Sequence, residues 1–127
     1  MFSHVMLGAD DLLAAKAFYD AILGTLGIGE GMIDEWGRVV YSTDAGRFLI
    51  TKPINGHAAT FANGGTIGFL ARTPEEVQAW HAAGLASGGS AIEDPPGERK
   101  VTGGRVLYLA YLRDPAGNKV CATHRVR

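Results

Sequence analysis

The sequence predicts an α+β protein: two tandem βαβββ modules forming a curved mixed sheet with helices on its convex face. Three observations carry this reading. A strand followed by a helix occurs twice, in segments that superpose when His4 is laid on Thr66. Three short apolar runs follow each helix, separated by glycine-containing breaks. An Asp114-Pro-Ala-Gly117 turn then joins the last two runs, with Asp, Pro and Gly where a type I turn prefers them, so they form a hairpin. Each module would bury one sheet face under its own helix, leaving the concave face for a ligand, another sheet or a second chain.

The elements follow in order. Phe2–Gly8 alternates as a strand. Residues 10–24 read as a helix, with Leu12, Ala15, Phe18, Tyr19 and Ile22 on one side, Asp10 or Asp11 as cap and Gly24 as stop. Residues 30–36, 38–43 and 46–52 read as strands. Residues 53–64 connect the modules. Gly65–Ala71 is the second opening strand. Thr73-Pro-Glu-Glu76 starts the second helix, with Thr73 as N-cap, Pro74 at the first helical position and Glu76 at the capping-box position. That helix is read through Val77, Trp80, His81 and Leu85. Residues 90–94, 104–113 and 118–125 repeat the three strands, and 95–103 reads as a mobile polar loop.

Bulk properties narrow the function. At 127 residues the chain has the length of one domain, here residues 1–127 with modules at 1–52 and 65–127. With 46% hydrophobic and 20% charged residues it has a folding composition rather than a disordered one. Twelve Lys and Arg against 13 Asp and Glu give a net charge of −1, which removes the electrostatic argument for nucleic-acid or anionic-membrane binding. No apolar run has the length of a spanning helix, and Asp10 and Asp11 come too early for a secretory leader. One cysteine excludes an intrachain disulfide, so a cytoplasmic location is expected. No phosphate-binding loop, His-Glu-x-x-His or Ser-His-Asp pattern occurs.

The chain resembles the vicinal oxygen chelate superfamily of glyoxalase I, bleomycin-resistance proteins and extradiol dioxygenases. The resemblance rests on His4-Val-Met-Leu-Gly-Ala-Asp-Asp-Leu12 with Ala17-Phe-Tyr19 and Leu23-Gly24. It rests also on the closing Tyr111-Leu-Arg-Asp-Pro-Ala-Gly-Asn-Lys-Val-Cys121. It spans essentially the whole chain. It speaks for the fold more than for a reaction, because this fold hosts isomerases, dioxygenases, lyases and metal-free binders. In metal-dependent members four side chains from four strands surround one divalent ion on the concave face. The resemblance puts His4 at the first position, Leu49 or Ile50 at the second, Thr66 at the third and Cys121 at the fourth. Only His4 and Cys121 are strong donors, so the usual centre is not expected. No cofactor is firmly implied, and a divalent metal on His4 and Cys121 stays open.

His4 and Cys121 are therefore the candidate catalytic residues, although a lone cysteine such as Cys121 more often serves as a small buried hydrophobe. If Val5, Leu7, Leu109 and Tyr111 pack beneath the helices, alternation turns Met6, Thr66, Tyr108 and Ala110 to the concave face, beside Leu49 and His4. Lys119, Cys121 and Thr123 are read onto the same face. Arg99, in the loop before the closing hairpin, is a candidate for an acidic substrate group, against a solvated charge. The expectation is a glyoxalase-like binder of a small organic ligand with a degenerate metal site, with lyase or isomerase activity left open. Its alternatives are a metal-dependent glyoxalase or dioxygenase with altered ligands, and a non-enzymatic sequestering protein. The resemblance also implies a homodimer, with residues of both chains around one cavity.

Overall fold

A computed structural model describes all residues, Met1–Arg127. The first module contains β1 (His4–Gly8), α1 (Leu12–Gly24), β2 (Met32–Ile33), β3 (Val39–Thr43) and β4 (Gly46–Thr51). The second contains β5 (Ile67–Leu70), α2 (Pro74–Ala86), β6 (Ser90–Ala91), β7 (Gly97–Lys100), β8 (Val106–Arg113) and β9 (Lys119–Arg125). The modules make two sheets, ordered β1-β4-β3-β2 and β5-β9-β8-β6, with β7 also on β8. In each, the opening strand runs parallel to the last strand of its own module. The α+β class and the paired modules match the expectation.

Capping chemistry sets the helix starts. The Asp11 carboxylate accepts the Ala14 N–H at 3.0 Å, while Asp10 accepts the Ala59 N–H and so holds the linker. In α2 the Thr73 hydroxyl accepts the Glu76 N–H at 3.1 Å. The Glu76 carboxylate reaches back to the Arg72 N–H and guanidinium rather than to the cap residue itself.

One core serves both modules. Phe18, Tyr19, Ile22 and Leu23 of α1 meet Val77 and Trp80 of α2 above Val39, Tyr41, Phe48 and Ile50 of one sheet and Ala110, Leu112, Val120 and Ala122 of the other. Phe18 and Trp80 are fully buried, and each contributes about 2 to 3 kcal/mol of burial. The helices come this close because Gly84 has no side chain: a Cβ there would collide with Leu112 and press on Ile22 and Phe18. Gly84, not Leu85, is therefore the buried residue at that turn, and Leu85 is half exposed.

Three further expectations are corrected. Residues 97–100, expected in a loop, form β7. The strands at 30–36 and 90–94 shrink to Met32–Ile33 and Ser90–Ala91; in the first, Asp34 accepts the N–H groups of Trp36 and Arg38 and bends the chain there. The third concerns β8. Tyr111 pairs with Cys121 and Leu109 with Thr123, and antiparallel partners share a face. Ala110 lies fully buried in the core under the helices, and the Tyr108 hydroxyl accepts a hydrogen bond from Gln78 of α2 at 2.7 Å. Tyr108 and Ala110 thus point to the helix side, and Leu109 and Tyr111 take the concave one.

Candidate functional site

The sheets meet along β1 and β5, which face each other in opposite directions without pairing. His4 and Val5 lie near Ile67–Phe69, and Met6–Gly8 near Gly65–Ile67. The Asn118 amide closes one end of this seam by donating to the Gly8 carbonyl at 2.9 Å. The same amide donates to Asp114, whose carboxylate also accepts the Tyr19 hydroxyl at 2.7 Å and the N–H groups of Ala116 and Asn118. Burial, with the Asp114 charge beside it, pushes the Tyr19 phenol well above the usual tyrosine range. Tyr19, Asp114 and Asn118, three of the motif residues behind the resemblance, thus form a buried latch between the halves.

Two cavities open along the seam. The larger, about 250 Å³, is walled by Val5, Tyr41, Phe48, Ile67 and Phe69, with His4 and Arg47 at its edge. Phe48 and Phe69 meet edge to face across the seam, ring centres 5.3 Å apart. His4 points its ring to the concave side, and its Nδ1 bonds the Ser3 hydroxyl at 2.8 Å. The smaller cavity, about 170 Å³, is bounded by Met6, Thr66, Phe61 and Lys119.

The structure therefore divides the expected site. His4 edges one cavity, while Met6 and Thr66 share the other. Leu49 pairs with Met6 and Val40 and takes the concave side, whereas Ile50 is in the core, so the second ligand position falls on Leu49. Cys121 pairs with Gly68 and lies beneath Tyr111 and Thr123, its Sγ 3.7 Å from the Thr123 hydroxyl. Burial pushes its thiol up, against the pull of the Thr123 bond and the Lys119 charge. Arg99 shares the concave face of the second module, but its guanidinium bonds the Pro95 carbonyl at 2.8 Å and stands 4.0 Å from Asp94, fastening its own loop. Sequence reasoning missed Arg47 at the cavity edge. The signal was available, since Arg47 sits two residues before Leu49 on the same strand face.

These residues do not fit the divalent ion expected of the family. No three His, Cys, Asp or Glu side chains gather into a group that could hold one. Of the four positions, Leu49 has no donor atom, Thr66 offers one neutral oxygen, and the Cys121 thiol resists ionisation.

Comparison with known proteins agrees with the fold and with the sequence resemblance. No protein of curated function matches the chain. A crystal structure of a glyoxalase/bleomycin resistance protein from Albidiferax ferrireducens is 58% identical with a TM-score of 0.94, the match covering 98% of this chain and 99% of that one. A lactoylglutathione lyase from Agrobacterium tumefaciens is 25% identical, TM-score 0.66, over 98% and 92% of the two chains. A glyoxalase-related enzyme from Fulvimarina pelagi shares the fold at 18% identity and TM-score 0.71, over 98% and 87%. The family model of the glyoxalase/bleomycin resistance protein/dioxygenase superfamily matches residues 1–122, and the chain belongs to that superfamily.

Proposed function

We propose that this protein binds a small organic molecule at the seam between its modules, without the divalent centre of the family's metal-dependent members. The observation that carries the reading is the 250 Å³ cavity beside His4, apolar in its walls and polar at its edge, the usual make-up of a small-ligand site. His4 is the base available for proton transfer. Its Nδ1 is engaged by Ser3, and Nε2 makes no hydrogen bond within the chain. Lyase or isomerase chemistry on the ligand would run through that imidazole.

A fragment screen by thermal shift tests this reading. Ligands are expected that raise the melting temperature, lose affinity in His4→Ala and are indifferent to chelators. A screen with no such ligand refutes it, as does a stoichiometric metal that survives dialysis and leaves with His4→Ala. The proposal includes a homodimer, supported by the exposed Met6 and Leu70 on strands whose opposite face packs on the core. Sedimentation as a monomer at micromolar concentration would count against the pairing alone.

A further inference from the structure

We infer that the larger seam cavity selects an uncharged apolar ligand, a single ring with a short side chain, and that Phe2 is its outermost contact. This rests on the reading that the cavity binds a small molecule, and deepens it by naming the ligand's class. The hollow lies on the helix side of the sheets. Val5, Tyr41, Phe48, Ile67 and Phe69 wall it from the face that packs on the core, and Leu23 and Ile28 close it from α1 and the turn that follows. His4 and Arg47, paired in register on β1 and β4, alternate with Val5 and Phe48, so their side chains project to the opposite face. No Asp, Glu or Lys lines the hollow. Its remaining polar side chains are engaged within the chain. The Tyr41 hydroxyl donates to Asp20 at 2.8 Å, so the phenol offers the cavity only its ring. At the mouth the Thr43 hydroxyl accepts the Ala45 N–H at 3.1 Å, and the Ser3 hydroxyl bonds His4 Nδ1 at 2.8 Å. A charged or strongly polar ligand group would shed its water there and find no side chain to replace it. Phe2 stands 72% exposed at the mouth, an apolar surface that a ligand protruding from the hollow would cover. Size sets the rest. A dry cavity of about 150 Å³ with such walls takes up benzene, so the 250 Å³ here leaves room for a ring carrying about three more carbons.

The experiment titrates the full chain calorimetrically with n-propylbenzene and with hydrocinnamate, the same skeleton ending in a carboxylate. Propylbenzene is expected to bind about tenfold or more tightly than the acid. Ile28→Trp fills the hollow from the α1 side, and Ala45→Trp crowds its mouth from an exposed turn. Each should weaken propylbenzene about tenfold or more, with melting curves showing that both variants fold. Phe2→Ser should weaken it about threefold and leave the melting temperature unchanged. Equal or tighter binding of the acid overturns the selection. Affinity undiminished in both tryptophan variants puts the ligand elsewhere and overturns the site, and affinity undiminished in Phe2→Ser overturns the part given to Phe2. No binding of propylbenzene up to its solubility overturns the inference as a whole. Propylbenzene gives His4 nothing to bond, so that failure leaves the broader functional reading to the fragment screen and its His4-dependent ligands.

Discussion

The concave faces of the two modules share a scaffold and differ in what covers them. In the first module His4, Met6 and Arg47 stand open beside the seam. In the second, the equivalent strands carry Gly68, Lys119 and Cys121, and the chain after β6 folds back over them. Glu93 pairs with Lys119, the Lys119 ammonium lies over the Tyr111 ring at 4.9 Å, and Arg99 holds residues 94–95. Cys121 is only 7% exposed. The difference comes from β7 and the segment before it, which have no counterpart in the first module. The two modules keep the same strand pairing, and the local additions of the second cover part of its concave face.

The test with the largest effect removes what the halves have in common. Asp114→Ala would leave the Tyr19 hydroxyl buried without its acceptor and release Asn118 from one partner, so a loss of about 3 kcal/mol or more is expected in urea unfolding. Tyr19→Phe, which removes a single hydrogen bond, should cost about 1 kcal/mol. Equal effects from the two would show that Asp114 acts through Tyr19 alone.

Alkaline pH should come next. Burial raises the phenols of Tyr19 and Tyr41 in the folded chain, and the Asp20 bond adds to the rise at Tyr41. Unfolded tyrosines release their protons near pH 10, so above that value the unfolded state holds fewer protons than the folded one, and stability falls as pH rises. The contribution is complete below pH 10, and denaturant midpoints measured from pH 8 to 11 should drop only at the upper end. Tyr41→Phe should flatten part of that drop. An unchanged slope would place the titration elsewhere.

The open and covered faces separate in a pair of substitutions. His4→Ala should change stability by no more than about 0.5 kcal/mol while weakening ligand binding. Cys121→Ala should cost about 1 kcal/mol through lost packing and leave the seam cavity's ligand unaffected. Reversal of this pattern in paired melting and titration measurements would move the site to the second module.

The smallest expected effect concerns the cover itself. With its thiol raised by burial, Cys121 should react with iodoacetamide at pH 8 about tenfold or more slowly than a free thiol. Glu93→Gln removes both the pair to Lys119 and a charge that raises the thiol, so alkylation should accelerate by roughly threefold. No acceleration would mean that the sheet alone buries Cys121.

The repeat, both helices with their caps, and the closing hairpin were legible in the sequence because each depends on local chemistry: Thr73 with Pro74 and Glu76, or Asp114 with Gly117. The strand β7 was not. Gly97-Glu-Arg-Lys100 has no apolar alternation, and it is held by backbone bonds to β8 rather than by burial. The facing of β8 was also missed, because Val106–Leu112 is apolar on both sides and alternation cannot choose between them. The hairpin could have decided it. A five-residue connection from Arg113 to Lys119 puts Tyr111 opposite Cys121, so a concave Cys121 requires a concave Tyr111. His4, Met6, Leu49 and Cys121 lie on the concave side, where strand alternation puts them. Their separation into two cavities and a covered thiol was out of reach, since it depends on how the modules abut.

The Tyr19–Asp114–Asn118 latch has a practical corollary for protein engineering. It sits behind the sheet, and positions 4, 49, 66 and 121 project in front of it. A designer can therefore exchange the front four as interchangeable fittings while the chassis stays bolted together. Installing oxygen and nitrogen donors at Leu49, Thr66 and Cys121 beside His4 would ask whether a metalloenzyme can be assembled on this frame without retuning its folding. For the same reason, a search keyed to Asp-Pro-x-Gly-Asn gathers proteins that are built alike, and leaves open what each of them handles.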